Sequence, residues 1–334
     1  MAKKFHKNIS QQQLIFFGSD DNETELIEDE IESATLEDKG SESECAISEI
    51  KLTENNQHFK FISFGSGSSG NSAYVGTERE GVLIDAGVDA DQIFKSLAEN
   101  NIQPSAVKGI CITHDHGDHI KYAYTIARKY RHINIFCTNR VLNGILRRHN
   151  ISRRIKDVHV AIFKEMPFNI AGLRITAFEV PHDGSDNAGF SVEYNGMTFA
   201  IATDLGHISE RAYHYMTRAD FLMIESNYDS DMLNNGRYPE YLKNRIRAAN
   251  GHLDNADTAR FLADNYRPEL KYVFLCHLSN DNNTPEIARE TIITALNAKD
   301  ISVGEGTYSH SDNEKDIQLI ALPRFTSSQL FILR

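Results

Sequence analysis

The sequence predicts an α/β protein built as a layered αββα sandwich. Two observations carry that reading. Short apolar runs alternate along the chain with longer segments of helical pattern. The alternation falls into two β-rich halves, each with its own flanking helices, which pairs two sheets back to back under outer helices. A length of 334 residues suffices for a sizeable core in one large or two modest domains.

From the N-terminal side of the body, 59–64, 72–75 and 82–84 read as strands, the first two split by the Gly/Ser-rich turn 65–72. Residues 90–100 are helical, 109–113 form a buried strand, and 119–130 are helical again. A strand at 133–137 leads into a helix at 139–150 that Asn139 can cap. Strands follow at 158–163, 173–180, 189–194 and 197–202. Asn195-Gly196 between the last two is a two-residue hairpin turn. The second half gives a strand at 221–225, a helix at 255–265 with Asn255 as its cap, and a strand at 272–276. A helix at 284–297 has Thr284 as cap and Pro285 in its first turn. Two strands near 317–321 and 329–333 finish the chain.

The composition, 40% hydrophobic and 25% charged, is that of a globular protein. No stretch approaches the roughly 20 apolar residues of a membrane span, and the run Leu14-Ile15-Phe16-Phe17 is too short for a signal-peptide core. Cys45, Cys111, Cys137 and Cys276 are far apart and form no CxxC pair, so they read as reduced thiols of a cytoplasmic protein. Net charge is −12, but it is unevenly spread. Residues 1–57 hold 14 acidic and 5 basic side chains, and the other 33 acidic and 30 basic leave the body near neutral. The domain plan is therefore an acidic extension, 1–57, expected to be disordered, and a globular body, 58–334. Overall acidity does not exclude a phosphate-bearing substrate.

Residues 114–119 read His-Asp-His-Gly-Asp-His directly after the apolar run 109–113. Imidazole and carboxylate suit zinc, manganese or iron(II), and a structural zinc site would favour cysteine, so the cluster points to a catalytic metal site with open coordination positions. Four more metal-capable residues each lie just past an apolar run: Asp85, His182, Asp204 and His277. Loops at strand ends are where a rigid scaffold presents catalytic groups.

Asp85, then His114-X-His116-X-Asp118-His119, then His182, Asp204 and His277, resembles in order the five motifs of the metallo-β-lactamase superfamily of hydrolases. The resemblance covers roughly 59–334 and implies a four-layer αββα sandwich with a dinuclear site at one edge between the sheets. It implies that His114, His116 and His182 bind one divalent metal and that Asp118, His119 and His277 bind a second. Asp204 would bridge them, and Asp85 would orient ligands from behind. Two such metals lower the pKa of a shared water from about 15.7 towards 7, supplying hydroxide for hydrolysis. Zinc, manganese and iron all remain open.

Further stretches resemble YycJ/WalJ-type members, which the family view treats as DNA exonucleases acting from 5′ ends: Phe64-Gly65-Ser66-Gly67-Ser68-Ser69-Gly70-Asn71-Ser72, Glu225-Ser226-Asn227-Tyr228-Asp229, Gly251-His252-Leu253-Asp254-Asn255 and His277-Leu278-Ser279-Asn280-Asp281. Residues 237–252 hold Arg237, Lys243, Arg245, Arg247 and His252 against the single acid Glu240, a balance suited to a phosphate backbone. Tyr238 and Tyr241 can stack on bases, His252 can protonate a leaving oxygen, and the 65–72 loop can offer backbone N–H groups to phosphate. Asp118, Asp204 and His252 are thus expected to carry the chemistry, and Arg237, Lys243, Arg245 and Arg247 to bind the substrate. Two alternatives stay open: a small-molecule hydrolase such as a cyclic phosphodiesterase or lactonase, and a non-catalytic metal-binding module.

Overall fold

The computed structural model describes residues 58–307, 312 and 314–334. The acidic extension and Cys45 lie outside the described residues. The first half runs β1 (Phe59–Gly65), β2 (Ser72–Gly76), β3 (Gly81–Ile84), α1 (Ala90–Glu99), β4 (Val107–Cys111), α2 (Gly117–Ile120), α3 (Ala123–Lys129), β5 (Asn134–Cys137), α4 (Asn139–Arg148) and β6 (His159–Ala161). The second half runs β7 (Phe168–Ile170), β8 (Leu173–Glu179), β9 (Ala188–Tyr194), β10 (Met197–Ala202), α5 (Glu210–Met216), β11 (Phe221–Glu225), α6 (Ser230–Asn235), α7 (Glu240–Arg247) and α8 (Asn255–Asn265). It ends in β12 (Tyr272–Cys276), α9 (Pro285–Asn297), β13 (Val303–Gly304), β14 (Ile317–Ala321) and β15 (Phe331–Leu333).

Two sheets result. One has seven strands in the order β15-β1-β2-β3-β4-β5-β6, the other eight in the order β13-β14-β12-β11-β10-β9-β8-β7. Side chains on alternate positions of one strand go to different layers. In β1, Phe59 and Phe61 enter the core between the sheets, whereas Ile62 and Phe64 face the helices α1, α3 and α4. In β10, Phe199 and Ile201 point between the sheets and Ala200 and Ala202 face outward to α5. Central strands buried on both faces read as unbroken apolar runs, which is why the sequence shows them so plainly. The inter-sheet core is aromatic: the Phe61 ring lies 5.1 Å from Phe199 and 4.5 Å from Phe274, centre to centre. The αββα layering follows from these three apolar layers.

Some local expectations need correction. Thr138, not Asn139, caps α4: its hydroxyl accepts from Val141 N–H at 3.2 Å. Asp254, not Asn255, caps α8, because the Asn255 side chain is buried against Ser226 and Asn283. The helix expected over 119–130 is two helices broken at Lys121 and Tyr122. The Asn195-Gly196 hairpin is present, with both residues at positive φ, 50° and 79°. Among the described residues, no helix is long and apolar enough to cross a membrane.

Candidate metal centre

The strands β3, β4, β8, β10, β11 and β12 all end at one edge of the sandwich, and each delivers a polar residue there. Three of them do so by the same backbone device. Asp85, Asp204 and His277 follow β3, β10 and β12 with φ of 59°, 49° and 54°, the left-handed region that a residue with a side chain rarely adopts. The kink breaks the strand's alternation; it turns Asp204 and His277 into the cleft and sets Asp85 behind it, against Thr113 and His119. Such strain costs of order 1–3 kcal/mol per residue and persists where surrounding contacts impose it.

Those contacts are on hand. Thr113 donates to Asp85 through its backbone N–H and its hydroxyl, both at 2.8 Å. Asp85 Oδ2 in turn lies 2.7 Å from His119 Nδ1, which directs Nε2 into the site. The 65–72 loop braces the same wall: Ser66 Oγ accepts from His277 N–H at 2.8 Å, and Asn71 N–H donates to the Asp118 carbonyl. A Cβ on Gly87 would stand 1.5 Å from the Asp118 carbonyl oxygen, so only glycine fits there. The loop's N–H groups at 66, 67, 70 and 71 are therefore spent inside the fold, which leaves little for the phosphate contact expected of this loop.

Two groups of candidate ligands converge on Asp204. One comprises His114, His116, His182 and Asp204, and the other Asp118, His119 and His277, with the ligand atoms of each within 4.8 Å of one another. Asp204 Oδ2 lies 3.7 Å from His114 Nε2 and 3.5 Å from His182 Nε2; its Oδ1 lies 3.4 Å from His119 Nε2 and 3.6 Å from His277 Nδ1. Asp118 Oδ2 is 3.6 Å from His119 Nε2 and 3.8 Å from His277 Nε2. These separations are too long for hydrogen bonds. They leave Nε2 of His114, His182 and His277 buried without a hydrogen-bond partner. Donors of this kind, gathered around two carboxylates, fit divalent metal ions.

The electrostatics agree. Burial opposes charge on Asp204, but His277 and His119 hold its carboxyl well below the usual range. Burial, aided by His119, keeps His114 neutral by lowering its pKa. Burial also works against His277, yet Asp204, Asp118 and Glu225 carry it up to about 10.

The sequence alone assigns no role to two residues of the site, Glu225 and Asp183. Glu225, the fully buried last residue of β11, lies 2.7 Å from His252 Nδ1 and 2.9 Å from His277 Nδ1. Its other oxygen accepts from the N–H groups of Leu205 and Leu253 at 2.6 and 3.2 Å. The apolar run ending in a carboxylate was the available signal. The second is Asp183: Oδ1 is buried without a hydrogen-bond partner, 3.3 Å from His116 Nε2 and 3.4 Å from His182 Nε2. Asp115, between the histidines, has its carboxylate held by the Ser185 N–H and hydroxyl at 2.7 Å each, with Arg148 at 3.4 Å.

His252 lines the cleft and also groups with Asp204 and His277. The expected substrate cations separate. Arg245 lines the cleft wall and pairs with Asp183 at 2.8 Å. Arg237 is exposed away from the cleft lining, and the Arg247 guanidinium is turned onto Asn234. Lys243 corrects the expectation: it is buried, its ammonium donating to the Asn234 carbonyl at 2.7 Å, and it anchors α7 instead of facing substrate. Tyr238 lines the cleft with its hydroxyl bonded to Asp281, while Tyr241 stands out in solvent. The cleft has a volume of about 430 Å³.

A model of the beta-lactamase superfamily domain matches residues 80–277. The chain is 35% identical over 262 residues to exodeoxyribonuclease YycJ of Bacillus anthracis, covering 77% of this chain and 96% of that one. It is 32% identical over 247 residues to exodeoxyribonuclease WalJ of Streptococcus pneumoniae, covering 74% and 91%. The fold is similar to that of the metallo-beta-lactamase fold protein YhfI from Bacillus subtilis, with a TM-score of 0.58 at 13% identity over 83% of this chain and 99% of that one. It is similar also to Zn(2+)-bound PqqB from Methylobacterium extorquens, with a TM-score of 0.57 at 15% identity over 81% and 99%. With His and Asp donors at the ends of its paired sheets and these matches over most of its length, the chain belongs to the metallo-β-lactamase superfamily of metallo-hydrolases, in the YycJ/WalJ group.

Proposed function

We propose that the protein is a metal-dependent DNA exonuclease that removes nucleotides from 5′ ends. The observation that carries the reading is the set of buried imidazole nitrogens without hydrogen-bond partners at His114, His182 and His277. A buried polar group left unsatisfied costs about 1–3 kcal/mol, and a cation beside His114 and His182, with another beside His277, removes that cost. His114, His116 and His182 would hold one divalent metal, Asp118, His119 and His277 a second, with Asp204 between them. Zinc and manganese suit this donor set, and iron does so too. When bound, the metals supply acidity for a nucleophilic water and neutralise charge on the phosphoryl oxygens.

The protein's own groups do the rest. Asp118 lines the cleft and is positioned to accept a proton from the attacking water. Glu225 engages His252 Nδ1 and so holds the ring for proton delivery from Nε2 to the oxygen that leaves as the P–O bond breaks. Although burial disfavours its charge, Glu225 is kept ionised by His252 and His277. Deoxyribonucleic acid as the substrate is supported by the names of the YycJ and WalJ relatives.

The test is release of mononucleotides from 5′-phosphorylated DNA by purified protein loaded with manganese or zinc, and loss of release with chelator. A folded, metal-loaded protein that leaves such DNA intact would overturn the reading.

A further inference from the structure

The cleft has a second cationic wall that lies outside the 237–252 segment. Between 147 and 157 the sequence reads Arg-Arg-His-Asn-Ile-Ser-Arg-Arg-Ile-Lys-Asp, five permanent cations against one acid. Arg147, Arg148, Arg153, Arg154 and Lys156 are all exposed. Among the described residues, only Arg148 of the five has an acidic partner within 4.0 Å, the buried Asp115. In a body of near-neutral charge this is an unbalanced stripe, and the fold fixes its direction.

Arg148 and His149 close α4 at the cleft and form part of its lining, with His149 Nε2 2.7 Å from the Asp115 carbonyl. From there the chain leaves the active edge. It passes through the short 3-10 turn Arg153–Asp157 and reaches the start of β6, where the Val158 carbonyl accepts from Ile135 N–H near the start of β5. Since β5 and β6 are parallel, that point lies at the opposite end of the strands from the metal centre. At about 3.3 Å per residue, the four residues of β5 give the stripe a run of roughly 13 Å down the flank of the sheet. Ile155 is buried in the outer apolar layer and Ile151 packs against it. The backbone is thereby fixed while its arginines and lysine project into solvent.

We propose that residues 147–156 form a track that holds the phosphate backbone of a nucleic-acid strand running from the metal cleft along the flank of the first sheet. This rests on the exonuclease reading and adds to it the path of the strand beyond the scissile bond. The chemistry recognised is a row of phosphates: guanidinium groups pair with them in forked geometry, without base specificity. Such contacts act through charge and are salt-dependent: for each phosphate neutralised on a single strand, log affinity falls by about 0.7 per tenfold rise in salt.

The experiment uses the full chain with Arg153, Arg154 and Lys156 changed together to Ser, positions whose side chains are exposed and lie past the cleft. Ile155 stays in place, and thermal unfolding checks the fold. Steady-state kinetics compare a long 5′-phosphorylated single strand with a dinucleotide too short to reach past His149. For the long strand, KM should rise about tenfold at low salt and its salt slope should become shallower by about 2, while kcat holds. The dinucleotide should show neither change, and Arg153→Lys with Arg154→Lys should restore the long-strand KM. Equal KM and salt slope for variant and parent on the long strand would sink the track and leave the exonuclease reading standing. A parent protein that cleaves neither substrate when metal-loaded would sink that reading itself. Faster cleavage of the long strand by the variant would show that the stripe's occupant is the acidic 1–57 segment and would overturn the track.

Discussion

His252 sits between His182 and His277, 5.1 Å from each ring centre, and Glu225 holds its Nδ1. As the proton donor it should tolerate substitution without loss of metal. His252→Gln is expected to lower kcat on DNA about 10²–10⁴-fold with KM and bound metal unchanged, measured by kinetics beside elemental analysis; a parallel fall in bound metal would make His252 a ligand instead. A second expectation concerns protons. In the metal-free protein His277 titrates near 10 against an ordinary value of 6.5, so it is charged at pH 7–8. Its contribution to metal-free stability is therefore complete below about pH 6.5 and fades as pH rises towards 10. A metal takes the neutral ring, so loading at pH 7 should release protons and affinity should climb with pH across that window. Calorimetry in buffers of differing ionisation heat checks this, and loading without proton release would contradict it.

Among the elements, α4 offers a clean contest of effects. Gly144 lies within this helix, where alanine is ordinarily favoured by about 1 kcal/mol. A Cβ there would stand 2.0 Å from Asp115 Oδ2 and 2.5 Å from Ser185 Oγ. Overpacking of that kind costs typically 1–3 kcal/mol, so Gly144→Ala should destabilise on balance and also weaken metal binding, because Asp115 lies between His114 and His116. Denaturant melts and metal titration read both effects. The strands were legible because β10, β11 and β12 are largely buried on both faces and spell near-continuous apolar runs. Amphipathic or short pieces were not: α5, α6, β7 and the two-residue β13 carry too little pattern to stand out. The metal-type donors were legible for a related reason, since a histidine or aspartate directly after an apolar run has no apolar neighbour to merge with. Glu225 was hidden because it completes such a run instead of following it. Asp183 was hidden beside His182, and Lys243 misled because a lysine's burial depends on where a distant carbonyl, that of Asn234, happens to fall.

At the scale of the whole molecule, stability is shared between an aromatic inter-sheet core and the polar edge. Phe61 meets Phe199, Phe274 and Phe331 in that core, and Phe61→Ala should cost about 3–5 kcal/mol in chemical unfolding, with the metal donors themselves untouched. Cys111, Cys137 and Cys276 are buried free thiols, and burial pushes Cys137 up to about 12. None of the three should be alkylated at neutral pH until the protein unfolds, as peptide mapping after iodoacetamide would show. The donors at the active edge come from both sheets: His114 and His116 from the loop after β4 with Asp118 and His119 from α2 behind it, and His182, Asp204 and His277 from loops after β8, β10 and β12. A bound cation would therefore act as a rivet through two plates. With the rivet in, the sheets can slide or splay only by breaking coordination. With it out, carboxylates and a ring of histidines face one another across a seam held elsewhere chiefly by aromatic and aliphatic contacts, so hydrogen exchange should quicken first along that seam and only later at the far end of the sandwich.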